Sequence, residues 1–404
     1  MRVSRVQPLR LLWSQLRPAA LAILLSGATG LHAEPVSSVE PVTDTMHKLA
    51  SDVQVLLPLI YQYDKPATLT DKMLVNNRID SLLTHVDKLA SSVAPRSATY
   101  QISYQVLLSQ LQLAQLEFAS GRGAMGMNLL RSATSVCATC HTQDERAATW
   151  LTPDSAALAD AFIAGEFLFM TRQYDGAFNA YENWLRQQKT LEYDKRTLTA
   201  FERLLLTALQ MQKSPQAITG LLGEFIQRDN INGLLKNDLS DWVDGIHELQ
   251  TLTSITTHPE PDALKTMATD WLGNGESEPV GRIVIQESRR PRIVWLRGEL
   301  YRALTYETDP AMIADWLYWL ALSDRVLEYR FYYSLADMYL KQCMLEYSDD
   351  PIAQSCYSEY ENYIVYFYSG SSGTHIPPEV KVELESLKHK VFNTGASTST
   401  PPGG

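Results

Sequence analysis

The residues best suited to chemistry in this chain are Cys137-Ala-Thr-Cys140-His141. On a helix, cysteines at i and i+3 share one face, so both sulfurs can bond to the two vinyl groups of one haem while the adjacent imidazole reaches the iron. A thioredoxin-like dithiol needs a βαβ setting, and the residues around this pair have helical periodicity instead. Half of a zinc site needs further ligands, and the other two cysteines, Cys343 and Cys356, lie about 200 residues downstream. The motif therefore predicts one covalently attached haem c, with His141 as an iron ligand.

From Glu40 to about Gln143 the apolar residues step by three and four, the spacing of one helix face. The four series are Val42, Met46, Leu49, Val53, Leu56 and Ile60; Val75, Ile79, Leu82, Val86, Leu89 and Val93; Tyr104, Leu107, Leu111, Ala114 and Phe118; and Leu129, Ala133, Val136 and Cys140. Turn residues separate them at Lys65-Pro66, Ala94-Pro95 and Gly121-Arg122-Gly123, with Thr70 and Ser97 as expected N-caps. Four helices of about 20 residues on short loops predict an antiparallel up-down-up-down bundle. In such a bundle the end of the fourth helix lies beside the start of the first. Met46, in the core-facing series of the first helix, is then placed to offer its thioether to the other axial position of the iron. His47, turned about 100° away, is the competing ligand, and an open position is the third possibility. A Met/His pair raises the reduction potential and blocks ligands, whereas an open position binds a small gas.

Residues Thr43 to Gln143 resemble the class II c-type cytochromes, the cytochrome c-prime group and its low-spin methionine-ligated members. The elements that carry the likeness are Cys137, Cys140 and His141 near the end of the fourth helix and Met46 early in the first. The resemblance implies covalent haem, His141 as proximal ligand, Met46 as distal ligand, and one-electron transfer or gas binding. Class II cytochromes usually stand alone, whereas here the bundle is continued by about 250 residues of another kind, which points away from a freely diffusing carrier.

Those residues also read as helical, so the expected fold class is all-α: a haem-bearing bundle over 40–145, then helical repeats over 150–255 and 298–392. Gly165, Leu168, Ala177, Tyr181 and Trp184 sit at the small and large positions of a tetratricopeptide-like helix pair. Looser units run through Leu205, Ala208, Ala217 and Leu221, and through Ala336, Tyr339, Cys356, Tyr360 and Tyr363. The Pro- and Gly-rich stretch 256–297 reads as an irregular connection, with the β-leaning runs RIVI and RIVW inside it. Residues 393–404 read as a disordered tail. Half of the 20 tyrosines lie between Tyr329 and Tyr368 and read as helix-pair filler, like Trp316, Tyr318 and Trp319. Arg282, Arg289, Arg290, Arg292, Arg297 and Arg302 read as a solvated basic face, with docking onto the acidic bundle or an acidic partner as alternatives. His85, His247, His258, His375 and His389 show no metal-ligand spacing.

Arg2, Arg5, Arg10 and Arg17 precede the apolar run Pro18–Leu25, the layout of a secretory signal with cleavage expected near Ala33. An uncleaved anchor is the alternative. Removing those four arginines from the 35 basic residues leaves 31 against 46 acidic ones, a net charge of about −15. A chain so acidic is not expected to bind nucleic acid or anionic lipid directly. Export to an oxidising periplasm predicts a Cys343–Cys356 disulfide across the turn at Asp349-Asp350-Pro351, with two free thiols as the alternative. The function expected is non-enzymatic: one-electron transfer, with the helical repeats docking the haem module to a protein redox partner or membrane-bound complex. Gas sensing, or a scaffold with a structural haem, are the alternatives.

Overall fold

The computed structural model describes residues 42–61, 69–93, 98–141, 158, 160–211, 215–251, 258–273, 286–331, 335–371 and 373–393. The expected leader over 1–33 and the tail beyond Asn393 lie outside the described residues. The described part is all-α, apart from one two-stranded hairpin, β1 (Ser369–Gly370) with β2 (Gly373–Thr374).

The first helices are α1 (Val42–Ile60), α2 (Leu69–Lys88), the four-residue α3 (Ala90–Val93), α4 (Ala98–Ala119) and α5 (Gly123–His141). Helix α1 packs on α2, α2 on α4, α4 on α5, and α5 back on α1. The α2 stripe is as expected, with Val75, Ile79, Leu82, Val86 and Leu89 buried. On α4 Leu111 and Ala114 are buried as expected, together with Ile102, Ser103, Val106 and Gln110, while Tyr104 and Leu107 are only half-buried. Thr70 is the second residue of α2 rather than its cap. A tight turn joins α4 to α5, with Gly121 at φ 76° and its neighbour Arg122 donating its N–H to Glu117 O at 2.8 Å. That positive φ suits glycine, which has no Cβ to clash.

Helices α6 (Ala161–Met170) and α7 (Tyr174–Gln187) form a hairpin. Asp160 caps α6 by accepting from the N–H groups of Phe162 and Ile163. Gly165 lets α7 approach: a Cβ there would stand 2.7 Å from the Tyr181 ring. The chain continues through α8 (Lys195–Leu206), a π-helical turn at Thr207–Met211, α9 (Pro215–Ile226) and α10 (Gly233–Gln250). Of the looser unit expected here, Leu205, Ala208 and Leu221 are buried, whereas Ala217 is exposed and its neighbour Ile218 is buried.

The stretch 256–297 is not irregular throughout. It contains α11 (Pro261–Leu272) and the start of α12 (Arg290–Tyr306). Pro261 occupies the first helical turn, where its missing N–H costs nothing, and Gly273 stands just past the end at φ 81°. The run Arg292-Ile-Val-Trp295 is helical, and its three apolar residues are buried; the run at 282–285 lies outside the described residues. Helix α12 packs on α10, α11 and α13 (Pro310–Phe331), and touches α4. Trp316, Tyr318 and Trp319 on α13 are buried, as expected. Helices α14 (Ala336–Glu346) and α15 (Ile352–Phe367) are joined by the Cys343–Cys356 disulfide, Cα–Cα 6.4 Å, and α16 (Pro378–Asn393) packs on both.

The arginines of α12 do not form a solvated face. Arg297 is buried and pairs with buried Asp324 at 2.5 Å, Arg290 pairs with Glu287, and Arg302 pairs with Glu299. Arg289 donates to the Trp271 carbonyl, and Arg292 lies over the Trp271 ring. Arg282 lies outside the described residues. Among the described residues no helix is long and apolar enough to cross a membrane.

Candidate haem site at the end of α5

Helix α5 carries the C-x-x-C-H motif on its last turn and a half, and the backbone is helical through His141. The side chains of Cys137, Cys140 and His141 lie outside the described set, so their placement rests on the helix itself. Position 137 lies four residues beyond buried Ala133, and position 140 four beyond buried Val136. The two cysteine positions therefore continue the buried stripe of α5. The helix is fixed against α4 at its other end, where Phe118 lies so close over Gly126 that a Cβ there would meet the ring at 2.5 Å.

The level of Met46 is set by one hydrogen bond and the helix rise. Arg131 Nε donates to the Ile60 carbonyl at 2.6 Å, joining α5 to the C-terminal end of α1. Successive packed helices on short connections reverse direction, so α5 runs antiparallel to α1. From that bond His141 is ten residues along α5 and Met46 fourteen back along α1. At about 1.5 Å per residue these are about 15 and 21 Å, placing the two at levels about 6 Å apart. Met46 is half-buried beside the stripe of Leu49, Val53 and Leu56, whereas His47 is exposed.

A second feature lies at that level. Counting from the Phe118–Gly126 contact, position 141 stands opposite Ser103 of α4. The Ser103 hydroxyl is 1% exposed and finds no hydrogen-bond partner among the described residues. Two cysteine positions on one helix face, with Met46 of α1 about 6 Å from the level of position 141, are the donor set a covalent haem would need. Among the described residues no three His, Cys, Asp or Glu side chains gather as a metal cluster.

Two polar clusters went unread in the sequence. In the first, Asp52 of α1 is 3% exposed and accepts from Arg78 Nη1 (2.8 Å) and Ser81 Oγ (2.6 Å), with His85 Nδ1 at 3.1 Å. The signal was available: Arg78, Ser81 and His85 form a donor stripe on α2, and Asp52 interrupts an apolar run on α1. In the second, buried Glu166 accepts from Tyr61 Oη (2.5 Å), Tyr181 Oη (2.7 Å) and Arg203 Nε (3.4 Å). This ties the end of α1 to α6, α7 and α8. Burial, reinforced by Glu166, holds the Tyr181 hydroxyl far above its ordinary pKa. The second cluster has no separable sequence motif, because each of its members comes from a different part of the chain.

Comparison of the chain with protein-family models, with curated proteins and with solved structures found no match.

Proposed function

We propose that this chain is an exported c-type haem protein whose N-terminal four-helix bundle carries one electron at a time, with the tetratricopeptide-like helices beyond it docking a protein redox partner. The observation that carries the reading is the C-x-x-C-H motif on the closing turns of α5, level with the start of α1 and Met46. Cys137 and Cys140 would tether the porphyrin through two thioether bonds, and His141 and Met46 would hold the iron. Once bound, haem c supplies a one-electron couple, with a methionine ligand raising its potential. The partial burial of Met46 and the exposure of His47 favour the thioether as the distal ligand. Around it Val86 and Val136, both buried, would exclude water.

The test is the mass and spectrum of the mature protein purified from a host that matures cytochromes c. The reading expects a mass increase of one haem and the weak sulfur-to-iron band at the red end of the visible in the oxidised form. It also expects the reduced form to refuse carbon monoxide. Met46→Ala should lose the band and bind carbon monoxide. A wild-type protein that takes up carbon monoxide readily would instead favour gas binding at an open position. A colourless protein with free or mutually bonded Cys137 and Cys140 would refute the reading.

A further inference from the structure

We propose that Arg289 and Arg292, where α11 meets α12, form a binding site for a carboxylate group beside the Trp271 ring. The site lies outside the N-terminal bundle and does not depend on the haem reading.

The buried arginines of this chain are each matched to an acid. Arg203 meets Glu166, Arg290 meets Glu287, Arg297 meets Asp324 and Arg325 meets Glu359. Half-buried Arg228 has no acid but still donates to Asn230 Oδ1 and to the Leu185 and Gln188 carbonyls. Arg289 and Arg292 break this pattern. Arg289 donates Nη2 to the Trp271 carbonyl at 3.0 Å, and Arg292 only lies over the Trp271 ring, its Cζ 5.8 Å from the ring centre. The Nε of each is buried without a hydrogen-bond partner among the described residues.

The two guanidiniums therefore converge on one tryptophan. Trp271 in turn packs on Trp295 at 6.0 Å between ring centres, and the buried Trp295 indole N–H likewise has no partner among the described residues. Burial first, and then the Arg289 charge, hold the Arg292 guanidinium below its ordinary pKa. Two like charges in a partly desolvated spot repel, and an anion between them removes that cost. Arg289, Arg292 and Trp271 are all only half-buried, so the spot is open on one side to a solute.

The charge balance selects the anion. Glu287 is already taken by Arg290 and by Trp242 Nε1. Glu248 of α10 is the acid that acts on Arg292; it is exposed, and among the described residues it forms no ion pair with that arginine. Two cations with Glu248 alongside leave a single positive charge, which a monoanion neutralises and a phosphate dianion exceeds. The planar guanidinium fork matches the two oxygens of a carboxylate, and the Trp271 ring offers apolar ground to the carbon beside it.

The test is an NMR titration of the full mature protein with sodium acetate at about pH 7 and constant ionic strength, reading the arginine Nε–H signals. Those of Arg289 and Arg292 should shift together and saturate. Arg292→Gln should weaken acetate binding at least about tenfold, and Arg292→Lys, which keeps the charge and loses the fork, should weaken it less. Inorganic phosphate, close to a dianion at this pH, should bind more weakly than acetate. A blocked Gly-Asp-Gly peptide serves as a second probe: binding tighter than acetate supports the site with a protein side chain as the source of the carboxylate, and weaker binding supports it with a free small acid. The absence of a saturable shift in wild type would overturn the inference, as would acetate binding undiminished in Arg292→Gln or phosphate binding tighter than acetate. The wild-type titrations decide even where a variant fails to fold.

Discussion

Gly245 on α10 offers a sharp test of how the second half of the chain is packed. A Cβ at this position would stand 1.8 Å from the Ser288 carbonyl oxygen and 3.2 Å from Pro291 Cδ. Carbon–oxygen contacts settle at about 3.3 Å or more, so α10 and the turn Glu287–Arg289 would have to part by about 1.5 Å. Neither neighbour is the loose end of a side chain. Separation would also strain the bond from Trp242 Nε1 to Glu287 Oε2 at 3.0 Å. Overpacking costs about 1 to 3 kcal/mol, the hydrogen bond is worth about 1, and alanine's better helix propensity returns about 1. Gly245→Ala should therefore destabilise the protein by about 1 to 3 kcal/mol. Gly220 on α9 is the control, since a Cβ there meets nothing within 4 Å. Gly220→Ala should stabilise by about 0.5 to 1 kcal/mol. Urea unfolding monitored by tryptophan fluorescence reports both, because Trp242 and Trp295 are buried in this region. If Gly245→Ala unfolds at the wild-type urea concentration or above, or Gly220→Ala is the more damaging of the two, the packing described for α10 is wrong.

Two further outcomes are expected from the same structure. Burial raises the Tyr181 and Tyr360 hydroxyls above their ordinary range, with Glu166 and Glu383 adding to the effect. Because the folded pKa exceeds the unfolded one, the stability they contribute is complete below about pH 10 and is lost as pH rises beyond it. Tyrosinate absorbance should accordingly lag for these residues and appear together with loss of helix by circular dichroism. Replacing Cys343 and Cys356 together by serine removes a cross-link over a loop of 13 residues in sequence separation. By chain entropy that costs about 3 kcal/mol, visible as a lower thermal midpoint for the double variant than for the oxidised wild type.

The helical class, the buried stripe of α2 and the Cys343–Cys356 pairing were legible because each depends on local spacing. The close approach at Gly165 was legible too, as a small residue opposite Tyr181. The features that escaped depend on partners far away in sequence. Arg297 looks like a surface cation until Asp324, on the next helix, is seen to bury with it. Pro261 looks like a breaker because a proline at the first turn of a helix and one inside a loop read alike on local spacing. Asp52 reads as a defect in an apolar face, and only α2 supplies the three donors that make it tolerable. For the candidate haem site, the motif itself is a local pattern, read from the sequence alone. The buried Ser103 hydroxyl was not legible, since a serine on α4 gives no local sign that it lies inside the bundle.

Helix α6 lies against both α1 and α5, and Phe162 stacks edge-on to Tyr61 at 5.5 Å between ring centres. One flank of the α1–α5 segment is thus sealed by the helix that comes next among the described residues. Excising residues 40–145 would strip that cover, baring Ile60 and Tyr61 to water and leaving the latter's hydroxyl without its carboxylate. Such a fragment would invite self-association through a surface the intact molecule never presents.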